Sequence, residues 1–159
     1  MPDSRGRWTT GERVVATAIE QRRLQTVHPS TEHAALLVEQ AEQHLRTAAL
    51  VVDVDPAGAF TMLYDAARKS MVAVLATQGL RPTARGGHRV VQDVLEAQLG
   101  PDGRTVVRRF RELRLRRHDS EYPDLDSQPV TSNQAREGLE DARSVVAAME
   151  RFIPLVGPW

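Results

Sequence analysis

The segment from Pro56 to Gln78 constrains the fold most. Phe60, Met62, Leu63, Tyr64, Ala66, Ala67, Met71, Val72, Val74 and Leu75 cover nearly the whole circumference of one helix. Its charges, Asp65, Arg68 and Lys69, fall within about one turn of each other. A helix that is apolar on most sides must be surrounded by other helices. Its ends are marked too. Pro56 stands at the first helical position, where its missing N–H costs nothing, and Gly79 is a left-handed terminator. The fold class expected is therefore all-α, an antiparallel bundle of five to six helices with this segment at its centre.

The flanking segments supply the other layers. A first helix is expected over about 10–24, with Val14, Val15, Ile19 and Leu24 on one side, ended by Val27-His28-Pro29. Ser30 or Thr31 caps a second helix running to about Val52, with Ala34, Leu37, Ala41, Leu45 and Ala48 recurring at three and four. Helices are also expected over 88–99, over about 104–120, and from a Thr131 or Ser132 cap to the stop at Pro154. Loops are expected at 80–87, 100–103 and 123–129, and no strand-like alternation is present. Residues 1–8 have no periodicity and are expected to be frayed. The organisation expected is an extension with one helix at 1–29, the bundle at 30–154 and a tail at 155–159.

Composition narrows the function classes. Aromatics are only 4%, so the core must be built from Leu, Val and Ala, which pack helix on helix. With no cysteine there is no disulfide framework or Cys-based zinc site. His28, His33 and His44 lack carboxylates at ligand spacing, so no metal site and no cofactor is expected. No apolar run approaches the roughly 20 residues of a membrane span, and no signal-peptide core follows the N-terminus. The chain reads as cytoplasmic, with no membrane partner.

Formal charge is zero overall but strongly uneven. Between positions 104 and 117, Arg104, Arg108, Arg109, Arg111, Arg114, Arg116 and Arg117 face one acid, Glu112. Any attraction for nucleic acid must come from such a local patch. At the end of this helix stand Arg117, His118 and Tyr122, followed by Pro123. Arginine there can neutralise a phosphate while a neighbouring group moves a proton. Alternatively the segment is a solvated helix end with His118 complementing the dipole. Arg111, Arg114 and His118 form a stripe that suits successive phosphates, or equally a surface salt-bridged to the acidic helix over 30–52. Asp65 and Arg68 form either an ion pair or part of a site. Gly86-Gly87-His88 can offer backbone N–H groups to an anion, or can simply start a helix.

Three stretches in order resemble the HEPN domain superfamily: Leu63-Tyr-Asp-Ala-Ala-Arg-Lys69, Gly86-Gly-His88 and Arg117-His118-Asp-Ser-Glu-Tyr122. The resemblance covers about 30–154. That family's motif is an arginine, a polar residue, three variable residues and a histidine. Arg117 and His118 match its start, and Tyr122 stands where the histidine is expected. A second register, Arg111 with six residues before His118, restores the histidine. The resemblance implies a toxin-like protein that binds or cleaves RNA without a metal and leaves 2′,3′-cyclic phosphate ends. It also implies a homodimer, often in toxin–antitoxin or phage-defence modules. Catalytic roles then fall to Arg117, His118 and Tyr122, and phosphate contacts to Arg111, Arg114, Arg68, Asp65 and His88. Two other readings remain: a non-catalytic partner of a nucleotidyltransferase or antitoxin, and a plain helical adaptor.

Overall fold

The computed structural model describes residues 5–159, and six α-helices dominate it. They are α1 (Glu12–Glu20), α2 (Thr31–Val51), α3 (Pro56–Gln78), α4 (Gly87–Leu99), α5 (Gly103–Glu121) and α6 (Ser132–Phe152). The all-α class and the helix count agree with the periodicity.

Local chemistry sets the boundaries. The Ser30 side chain accepts from the His33 N–H at 3.0 Å, and Asp55 accepts from Gly58 N–H at 2.9 Å. Gly79 terminates α3 at φ 78°, in the left-handed region that glycine enters without penalty. Thr131 and Gln134 bond reciprocally to each other's backbone at the start of α6, at 3.1 and 3.0 Å.

The centre is α3, packed against α2, α4, α5 and α6. Phe60, Leu63, Ala67, Met71, Val74 and Leu75 on it are fully buried. Small residues permit the close packing. At Gly138 on α6 an added Cβ would lie 2.6 Å from the Phe60 ring, so α6 can approach α3 only without a side chain there.

Three expectations are corrected. The first helix stops at Glu20, and Arg22 adopts a positive φ of 58°. The chain then forms β1 (Leu24–Thr26), antiparallel to β2 (Leu80–Pro82) with Leu24 opposite Pro82. So Leu24 is a buried strand residue, and part of the loop expected at 80–87 is a strand. Three-residue strands are too short for an alternation to be visible.

The second correction concerns the N-terminus. Of the segment expected to be frayed, residues 1–4 lie outside the described residues, and Arg5 and Trp8 are anchored. The Trp8 ring meets Phe152 edge-on at 5.5 Å, and the Trp8 backbone N–H donates to Pro158 O at 2.9 Å. Arg5 Nη1 donates to Ile153 O at 3.0 Å.

The third concerns the arginines of α5. Among the described residues Arg111 and Arg114 form no ion pair with an acid of α2, and the arginines that are paired find their acids on α6 and on α5 itself. Arg109 lies 3.8 Å from Asp141, Arg116 3.5 Å from Glu137, and Arg117 3.0 Å from Glu121. No described helix is long and apolar enough to cross a membrane.

Candidate functional site

The middle of α3, the start of α4 and the end of α5 meet around one side chain, Tyr64. Phe110 stacks on its ring at 5.4 Å and 20°, and the Arg117 guanidinium carbon sits 4.9 Å from its centroid. His88 approaches edge-on at 5.5 Å. Above this group opens a cleft of about 500 Å³ lined by Tyr64, His88, Arg89, Arg114, Arg117 and His118, with Gly86, Gly87 and Leu115. Three guanidinium groups and two imidazoles therefore face the cleft, and no carboxylate does.

The start of α4 is held in place from a distance. Thr83 Oγ1 donates to Arg22 O at 2.6 Å, Thr83 N–H donates to Arg23 O at 3.0 Å, and Gly86 N–H returns to Thr83 O at 3.1 Å. Gly86 lies against the Arg23 carbonyl, where any Cβ would collide with backbone oxygen. The α1–β1 corner thus fixes the first turn of α4. That turn leaves N–H groups without helical acceptors beside the arginines, which adds to an anion-attracting field.

The site carries unsatisfied donors. The Tyr64 hydroxyl and the Nε atoms of Arg68, Arg114 and Arg117 are shielded from solvent without a hydrogen-bond partner among the described residues. Burial pushes the Tyr64 hydroxyl up to about 12, against the opposing pull of Arg68, Arg117 and Arg114, so it is a neutral donor. Burial, then Arg68 and Arg117, push His88 below the usual imidazole value, while Asp65 works the other way. His88 is therefore neutral near pH 7 and able to accept a proton.

The sequence-derived residues separate into two sets. Arg114, Arg117, His118 and His88 share the cleft, with the charges of Arg68 and Asp65 acting on it from α3. Among the described residues no ion pair joins Asp65 to Arg68. Instead Lys69 Nζ contacts His44 Nε2 at 2.9 Å, and burial followed by Lys69 lowers the His44 pKa. Arg111 is exposed and does not line the cleft. Tyr122 is 68% exposed and also lies outside the lining, but its ring is 5.3 Å from that of His118. Sequence reasoning passed over Tyr64 and Arg89. Tyr64 reads as one more core residue, although a hydroxyl beside Asp65 and Arg68 on an otherwise apolar helix was a signal.

Another cleft, of about 340 Å³, lies past the end of α5 among Val54, Pro56, Asp119, Pro123 and Val130. It holds no arginine, histidine or lysine, so it lacks the chemistry for an anion.

The fold is an all-α bundle, and its cleft is lined by arginine and histidine with no carboxylate among the lining residues. The HEPN domain family matches residues 34–152, which is 119 of the 159 residues, and the chain belongs to that family. No match was found to a curated protein or to a solved structure. HEPN membership suggests RNA cleavage or nucleotide binding as the general class of function.

Proposed function

We propose that the protein binds RNA in the arginine-lined cleft and cleaves it without a metal. The observation that carries this reading is the meeting of two imidazoles with Arg114 and Arg117 in one cleft free of carboxylates. The ribose 2′-oxygen attacks the adjacent phosphorus while neutral His88 accepts the hydroxyl proton. Arg114 and Arg117 neutralise the charge that builds on the phosphate oxygens. The 5′-oxygen leaves with a proton from His118, and a 2′,3′-cyclic phosphate remains. Tyr122 acts through its contact with the His118 ring, as a positioning residue, since it lies outside the cleft lining.

Incubation with RNA in EDTA tests this. Cyclic phosphate ends are expected, and loss of cleavage on chelation or 3′-hydroxyl products would overturn the mechanism. The pH dependence follows from His88. Burial and the arginines disfavour its charged form, so it remains a competent base below the ordinary imidazole value of 6.5. The acid limb of kcat/KM should therefore lie below 6.5. A limb above that value would assign the base to another group.

A second reading has its own support. Tyr122 is outside the cleft lining and Arg117 is already engaged by Glu121, which suits a non-catalytic subunit that binds RNA or nucleotide beside a nucleotidyltransferase or antitoxin. Arg117-dependent binding without any cleavage would favour it.

In either case the proposed assembly is a homodimer joined near the end of α5, where Leu115, Tyr122 and Leu125 are exposed. Light scattering at micromolar concentration should report about twice the 17.7 kDa chain mass. A monomer with full activity would remove the shared interface from the account.

A further inference from the structure

We infer that the Tyr64 hydroxyl is a ligand-binding group, donating a hydrogen bond to a phosphate oxygen of the RNA or nucleotide in the cleft. This rests on the proposed phosphate-binding reading and adds to it a residue from the heart of α3.

The residue is only 1% exposed, yet it lines the cleft and its hydroxyl has no partner among the described residues. A buried hydroxyl without a partner costs free energy that a phenylalanine would not, so a purely structural role gives no reason for it. Its ring is packed away from solvent, stacked with Phe110, beneath the Arg117 guanidinium and against the His88 ring. Tyr64 thus cannot serve as a stacking platform for a base. The hydroxyl is the part of it left for a ligand. Around it stand Arg68, Arg114 and Arg117, all close enough to act on it electrostatically and each with an unpaired Nε–H. Four unsatisfied donors on neighbouring side chains, three of them on cations, suit an acceptor with several oxygens and negative charge, which describes phosphate. Being neutral, the hydroxyl contributes a hydrogen bond and no charge, so its loss leaves the field of the cleft intact.

The test is Tyr64→Phe, read by two measurements that a structural role and a binding role move in opposite directions. Thermal unfolding of the free variant should occur at the wild-type temperature or higher, because an unsatisfied hydroxyl has been removed. Affinity for a short single-stranded RNA should fall about ten-fold or more at fixed salt, the scale of a hydrogen bond to a charged acceptor. Stabilisation of the fold by inorganic pyrophosphate, measured as a shift in unfolding temperature, should shrink in the same variant. If wild type binds RNA or pyrophosphate through Arg117 and Tyr64→Phe binds within two-fold, this inference is overturned and the cleft remains the RNA site. A variant that unfolds well below wild type overturns it as well, since the hydroxyl then has a structural partner. Wild type binding neither RNA nor pyrophosphate removes both this inference and the reading beneath it.

Discussion

Arg117→Ala is expected to lower RNA cleavage by about 10²–10³-fold, the usual effect of removing one preorganised donor from a developing oxyanion, and to weaken RNA binding with it. The side chain combines two tasks. Its guanidinium lies over the Tyr64 ring and its Nε–H is aimed at no other acceptor, while Nη2 reaches Glu121 at 3.0 Å. Arg117→Lys keeps the charge but loses both the planar fork and the stack on Tyr64, so it should fall between wild type and alanine. The fold should survive either change. The Glu121 pair is partly exposed, and such pairs contribute about 1 kcal/mol or less to stability. A folded alanine variant that cleaves within ten-fold of wild type would place the reaction away from this cleft.

The contrast between the fold and the cleft shows where sequence reasoning succeeds. Ser30, Asp55, Gly79 and Thr131 act within three residues of their own positions, so caps and stops could be read directly and α2, α3 and α6 begin where expected. The end of α1 could not. Leu24 continues a plausible helical spacing, and what breaks the helix is the positive φ at Arg22 together with pairing to β2, a segment more than fifty residues away. Trp8 was equally illegible, because its order comes from Phe152 and Pro158 at the other end of the chain.

The same division holds for the cleft. Arg68, His88, Arg114 and Arg117 come from three helices, and the order of motifs along the chain was enough to suspect that they meet. Which helix would answer the arginines of α5 was not written in composition. The acids of α2 and of α6 look alike in sequence, and only packing brings Glu137 and Asp141 to Arg116 and Arg109. Tyr64 was hidden for the opposite reason. Its ring satisfies the apolar pattern of α3 so well that the hydroxyl went unnoticed.

Leu63→Ala and Leu75→Ala are each expected to cost about 2–5 kcal/mol of folding free energy, measured by denaturant unfolding of the pure protein. Both side chains are fully buried on α3, in the cluster that also contains Phe60, Leu95, Phe110 and Met149 from four helices. Removing three carbons from such a place forfeits transfer free energy and leaves a cavity that the surrounding helices close only in part. Since α3 touches α2, α4, α5 and α6, relaxation toward the gap from one side opens space on another. Leu63 adds a functional consequence, because it directly precedes Tyr64 and shares its helical turn. A cavity there should loosen the Tyr64 ring between Phe110 and Arg117, so Leu63→Ala should lose RNA affinity beyond its fraction unfolded. Leu75, three turns further along the same helix, should lose stability with affinity per folded molecule unchanged. Losses well under about 1 kcal/mol at both positions would mean that α3 is not the packed centre of the bundle.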